Sequence, residues 1–149
     1  MRTLFAAIGL LLAMTTTALA NPLAPFKGDY RPLLIFTGSP EAPNFRQQFI
    51  ATSQSINELY ERDILRIHVL SDAGQVGLHA KPTPQLAADQ LPTAEALRQR
   101  FDLGPDDFAV ILVGKDGGEK ARWSAPVAMA EVYALIDTMP MRQREMREN

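Results

Sequence analysis

The amino-acid sequence predicts a single α/β domain, and three observations carry that reading. Three short apolar runs, Leu33-Leu34-Ile35-Phe36, Ile64 to Leu70 and Phe108 to Val113, have the length of strands, and the first has the continuous hydrophobicity of a central strand covered on both faces. The segments between and after them repeat apolar residues at helical spacing. A chain of 149 residues with 46% hydrophobic content has the size of one domain with one core.

Residues 1–20 are expected to be a signal peptide and 21–149 the folded domain. Arg2 precedes an apolar run from Leu4 to Met14, and Ala18-Leu19-Ala20 forms a small-x-small cleavage site. A membrane anchor needs about 20 apolar residues. Here Thr15, Thr16 and Thr17 end the run early, and Pro22 and Pro25 follow. The expectation is export to the periplasm or the extracellular space, with no membrane span after cleavage. Removing twenty of the 149 residues, with one Arg and no acid among them, leaves 129 and takes the net charge from −2 to −3. Mild acidity supplies no basic field, so neither nucleic acid nor an anionic membrane is an expected partner.

Asn21 to Tyr30 is a lead-in bearing Pro22, Pro25 and Gly28. Arg31 to Phe36 is the first strand, ended by Gly38, Pro40 and Pro43 in the segment Thr37 to Asn44. Pro43 to Glu61 reads as one helix, because Phe45, Phe49, Ile56, Leu59 and Tyr60 recur at helical spacing. After the strand Ile64 to Leu70 come the exit signals Ser71-Asp72, Gly74 and Gly77. The stretch from Ala73 to Pro92 carries three prolines and little periodicity, and reads as a long loop. Thr93 is placed to cap a helix over Ala94 to Asp102, with Leu97 and Phe101 inward and Gly104-Pro105 at its end. The strand Phe108 to Val113 turns at Asp116-Gly117-Gly118, which tolerates positive φ, into a hairpin strand from Glu119 to Ser124. Val132, Leu135, Ile136 and Met139 mark an amphipathic helix, and Pro140 opens a further helical turn. That tail is expected to close the fold, with Arg142 and Glu145 on the surface and Met139 or Met141 on the core. The order β-α-β-α-β-β-α, with one parallel crossover and one antiparallel hairpin, is that of a thioredoxin-like domain. A ferredoxin-like order would need a strand where Thr93 to Asp102 reads as helix.

Composition then limits the chemistry. With no cysteine, the chain cannot act through its own residues as a thiol-disulfide oxidoreductase or thiol peroxidase, and cannot hold thiolate zinc or an iron–sulfur cluster. Of its two histidines, His68 lies inside a strand, where it is expected to bond to a neighbour, and His79 lies in the long loop. No carboxylate stands at ligand spacing from either, so no metal and no cofactor are expected. Gly114-Lys115 lacks the glycine-rich lead and the hydroxyl residue of a phosphate loop. Ser39 has neither a nucleophile-elbow sequence nor an evident His partner. Asp106-Asp107 reads as capping at a strand start, and Trp123 as packing.

The segments Arg31-Pro32-Leu33-Leu34-Ile35-Phe36, Glu61-Arg62-Asp63, Leu112-Val113-Gly114-Lys115-Asp116-Gly117-Gly118 and Ile136-Asp137-Thr138-Met139-Pro140-Met141-Arg142 resemble the bacterial family of domain-of-unknown-function 4174. The resemblance covers essentially the whole mature chain. It implies a thioredoxin-like fold and an extracellular or periplasmic setting, related to domains of secreted matrix proteins that combine with sushi repeats, and it brings no established reaction. A fainter resemblance is to peroxiredoxins, in which an Asp-Gly-x-x-x-Arg hairpin brings an Arg toward the nucleophile at the end of the first strand. Asp116, Gly117 and Arg122 match that hairpin in kind, whereas Thr37 to Phe45 offers Thr37 and Ser39 but no thiol.

Two functional readings follow. One is a non-catalytic exported module whose surface recognises a protein or a cell-envelope component. The other is a small anionic-ligand receptor, or an enzyme independent of cysteine, using Arg122 with Thr37 and Ser39 where the Thr37 to Asn44 loop enters the first helix. Ligands in open α/β sheets collect beyond the carboxyl ends of strands, and a helix amino terminus favours anions. The plain structural alternative for Arg122 is a surface pair with Glu119 or Glu131.

Overall fold

The computed structural model describes residues 20–71 and 76–149. The expected signal peptide lies outside the described residues except for Ala20, and so do residues 72–75. β1 (Arg31–Thr37) pairs in parallel with β2 (Ile64–Leu70) and antiparallel with β4 (Ala109–Val113). β4 continues antiparallel into β5 (Glu119–Trp123), with a register shift at Leu112/Val113. β3 (Val76–His79) adds to β2 on the far side, giving the order β3-β2-β1-β4-β5. All seven residues of β1 are buried, as a central strand requires.

β3 is the main departure from the sequence reading, which had a loop there. It is a four-residue edge strand with Gly77 inside it, too short and too mixed to show a period of two. Its presence moves His79 from a loop onto the sheet edge.

The long first helix divides into α1 (Pro43–Gln54) and α2 (Ile56–Glu61). At the break, Ser55 leaves helical geometry (φ −118°, ψ 37°), and its Oγ donates to Ala51 O and bonds the Tyr133 hydroxyl. α3 (Ala94–Phe101) is capped by Thr93 Oγ1, which accepts the Ala96 N–H at 3.1 Å. It ends on Asp102 in the left-handed region (φ 55°), two residues before the expected glycine. α4 (Met129–Asp137) and α5 (Pro140–Glu148) complete the chain, with Pro140 at a helix start.

The pleat divides the core in two. Leu34, Phe36, Leu65, Ile67 and Ile111 face α3, together with Leu23 and Phe26 from the lead-in, which is thus part of the core. Burying a side chain such as Phe26 contributes roughly 1.5–3 kcal/mol. Leu33, Ile64, Val110 and Leu112 face α2 and α4 through Leu59, Val132, Tyr133 and Ile136. The tail reverses one expectation. Arg142 is buried, giving hydrogen bonds to Glu61 O, the Glu61 carboxylate and Asp137, so that its guanidinium satisfies the carbonyl that ends α2. Glu145 is likewise drawn inward to Arg31.

Candidate functional site

At the carboxyl end of β1, the expected site is a loop folded on itself. Thr37 Oγ1 donates to Ser39 O (2.9 Å) and accepts the Ser39 N–H. Ser39 Oγ donates to the Glu41 carboxylate and accepts the Glu41 N–H. The Ser39 bond holds the Glu41 carboxyl below its usual range. Thr37, Ser39 and Asn44 line a hollow of about 400 Å³ that also contains Asp106 and no cation. Hydroxyls engaged in this way hold a turn: Thr37 bonds only the Ser39 backbone, and Ser39 bonds a carboxylate two residues along its own loop, with no imidazole beside either.

Arg122 is not brought to that loop. It sits opposite Ile111, which sits opposite Leu34, so its side chain leaves the sheet on the α3 face. Thr37 is three residues beyond Leu34 in β1 and projects from the other face. Arg122 instead forks onto Glu119 at 2.8 and 2.9 Å, donates to Phe101 O, and lies 5.8 Å above the Phe101 ring. The Glu119 bond raises the Arg122 pKa. The other acid considered, Glu131, accepts from Trp123 Nε1.

The cation that does reach the strand ends is Arg98 of α3. Its Nη2 donates to Thr37 O (2.7 Å) and Val69 O (3.3 Å), and its Nη1 donates to Gly104 O. These bonds satisfy the carbonyls where β1 and β2 finish, and burial lowers the Arg98 pKa. Its sequence signal is an Arg at an inward position: Ala94, Leu97, Arg98 and Phe101 are the buried residues of α3, spaced i, i+3, i+4, i+7.

At the opposite end of the sheet, the four segments quoted above meet in one ion-pair cluster. Arg31, 1% exposed, donates through both terminal nitrogens to Glu145 and through Nη1 to Arg62 O. Lys115 bridges Asp63 (2.8 Å) and Glu145 (2.7 Å). Arg62 and Arg142 both bind Asp137, and Arg142 also binds Glu61. Burial alone would raise the Glu145 carboxyl, but the bonds from Arg31 and Lys115 outweigh it and hold the pKa below its ordinary value. The Arg62 bond does the same for Asp137. Four cations face four carboxylates, and the cluster ties α5 to β1 and to the end of β4.

On the α1 side, His68 is 7% exposed among the rings of Phe45, Phe49 and His79, at 5.3, 5.4 and 5.0 Å between centroids. Its Nε2 has no hydrogen-bond partner, contrary to the expected bond to a neighbour. Burial first, then Arg66 and His79, push its pKa down to about 3. Phe49, one wall of this cage, and its neighbour Ile50 are 41% and 53% exposed, and with Pro40, Phe45 and Arg46 they border a hollow of about 350 Å³. Among the described residues, no group of three or more His, Asp or Glu is placed to hold a metal ion.

The strand order, the α/β/α layering and the thiol-free end of β1 define a thioredoxin-like domain without the cysteine chemistry of that fold. The chain belongs to the family described as domain of unknown function DUF4174, whose model matches residues 22–145. It is 31% identical over 138 residues to Coiled-coil domain-containing protein 80 of Danio rerio, covering 87% of this chain and 16% of that protein. It is 25% identical over 117 residues to Sushi repeat-containing protein SRPX2 of Xenopus laevis, covering 77% of this chain and 25% of that protein. The chain therefore spans a quarter or less of the length of these relatives. Among solved structures it is similar to the reduced 2-Cys peroxiredoxin of Plasmodium vivax, with a TM-score of 0.55, 15% identity, and coverage of 82% of this chain and 84% of that chain. Thioredoxin peroxidase I of Plasmodium yoelii matches with a TM-score of 0.53, 18% identity, and coverage of 82% and 79%. At these identities the likeness shows the fold.

Proposed function

We propose that this chain is an exported, non-catalytic binding module, which recognises a protein or another cell-envelope component through the outward face of α1. The observation that carries the reading is the pairing of a closed strand end with an open helix face. Thr37 and Ser39 spend their hydroxyls on their own turn, whereas Phe49 and Ile50 stand exposed side by side. Large apolar residues adjacent on a surface favour association. Two further facts support it. The amino-terminal sequence has the form of an export signal, and the same stretch matches only a part of much longer relatives, as a module would. The alternative anion receptor at the Thr37 loop lacks its cation, since Arg122 lies on the other face of the sheet.

The test is recovery of a bound component from the cell envelope by the tagged protein, compared with Ile50→Asp and Ile50→Lys. Ile50 is 53% exposed, so these substitutions are expected to leave the thermal midpoint within a few degrees and to abolish recovery. Undiminished recovery by both variants would exclude the α1 face.

A further inference from the structure

Beside the ion-pair cluster, where β1 begins and β4 ends, a hollow of about 250 Å³ opens at the surface. Its wall carries three cations, Arg31, Lys115 and Lys120, and one carboxylate, Asp116. The carboxylates that pair with Lys115, Asp63 and Glu145, are not part of the lining. An ammonium has three N–H donors. Lys115 uses two, on Asp63 and Glu145, and Lys120 uses one, on Asp116. The Lys120–Asp116 pair is 32% and 53% exposed, a solvent-screened pair that gives way readily to a competing anion.

The facing wall is Met139, Pro140 and Met141 at the start of α5. Met139 supplies no side-chain cap and Pro140 has no N–H. The first-turn amides of Met141 and Arg142 are therefore donors without an intrahelical partner, at the positive end of a nine-residue helix. The two methionines and the proline add a soft apolar surface. The floor is Gly114, where a Cβ would lie 2.5 Å from Lys120 Cε and 2.8 Å from Asp116 Oδ1. The lysine stem crosses this glycine, so a side chain there would displace it.

We infer that this hollow binds a small organic carboxylate, its head held by Lys115, Lys120 and the first turn of α5 and its short apolar body lying on Met139 and Met141. The volume is below the range of drug-sized sites, which suits a short chain. The cluster behind the wall is balanced in charge, which suits a monoanion over a phosphate dianion. The site is independent of the α1 face, and either can fail without the other.

The experiment is an NMR titration of the protein, following methionine methyls and backbone amides, with hexanoate, with hexanol as the neutral analogue, and with a tripeptide in free-acid and amidated forms. Hexanoate is expected to shift the Met139 and Met141 methyls and the Gly114 and Arg142 amides saturably, and hexanol to bind at least about tenfold more weakly. Lys120→Met, which keeps the exposed stem, is expected to weaken hexanoate at least about fivefold with the rest of the spectrum unchanged. Gly114→Ala is expected to do the same by displacing the stem. The assignment is overturned by no saturable response to hexanoate, by an equal response to hexanol, or by an undiminished response in both variants. It is also overturned if the free-acid tripeptide binds more tightly than hexanoate and amidation abolishes it, since the site would then belong to chain termini.

Discussion

His68 gives the fold a built-in acid sensitivity whose size follows from its cage. In the unfolded chain its imidazole titrates near 6.5, whereas in the folded protein burial, with Arg66 and His79, pushes it down to about 3. The pKa is depressed on folding, so the stability is fully present above 6.5 and is lost as the pH falls toward 3. Between pH 7 and pH 5 the unfolded chain takes up nearly one proton that the folded protein refuses, and the loss from this residue is about 2 kcal/mol. Replacing His68 with Phe, which keeps a ring between Phe45 and Phe49, removes that contribution. Urea melts at pH 7, 6 and 5 should show the wild type losing about 2 kcal/mol more than His68→Phe, roughly 1 M in midpoint. The carboxylates of the ion-pair cluster, Glu145 and Asp137, have lowered pKa values and weaken the fold only at more acid pH. Parallel pH dependence in the two proteins would refute the reasoning, because it would mean that His68 accepts its proton as easily folded as unfolded.

Three other outcomes follow from the structure. Glu145→Ala leaves the buried Arg31 without its carboxylate and Lys115 with one of its two, and should cost about 2–3 kcal/mol in chemical denaturation; Arg122→Ala removes an exposed pair, one hydrogen bond to Phe101 O and a ring contact, and should cost about 1 kcal/mol. Gly117 has φ +85°, so Gly117→Val should cost at least about 1 kcal/mol, while Gly118→Val, at a position without positive φ, should cost clearly less in thermal melts. With no cysteine in the chain, purified protein should show neither insulin reduction nor peroxide consumption above the buffer rate, and activity that survives repurification would contradict this.

The strands that carry the core were legible because a doubly covered strand shows as an unbroken apolar run, as in Leu33 to Phe36 and Phe108 to Val113, while Ile64 to Leu70 is apolar but for Arg66 and His68. β3 was not, because an edge strand of four residues is specified by its partner β2 more than by its own pattern. The Ser55 break was hidden because Ile56 and Leu59 continue the apolar spacing, and the kink depends on a hydroxyl bond to Tyr133 seventy-eight positions away. The Arg122 hairpin was visible as a motif, but which face an Arg takes depends on register, and a shift of one residue exchanges the faces. Conversely, the charged segments around Arg31, Asp63, Lys115 and Arg142 stood out in the sequence as separate pieces, and only folding shows that they meet.

Binding through the α1 face is tested most directly by photo-crosslinking in living cells, with the photoreactive residue placed at Ile50 or, as a control, at the exposed Gln99 of α3. A discrete adduct at Ile50 that is absent at Gln99 is the expected result. The same adducts at both positions, or none at Ile50, would contradict it.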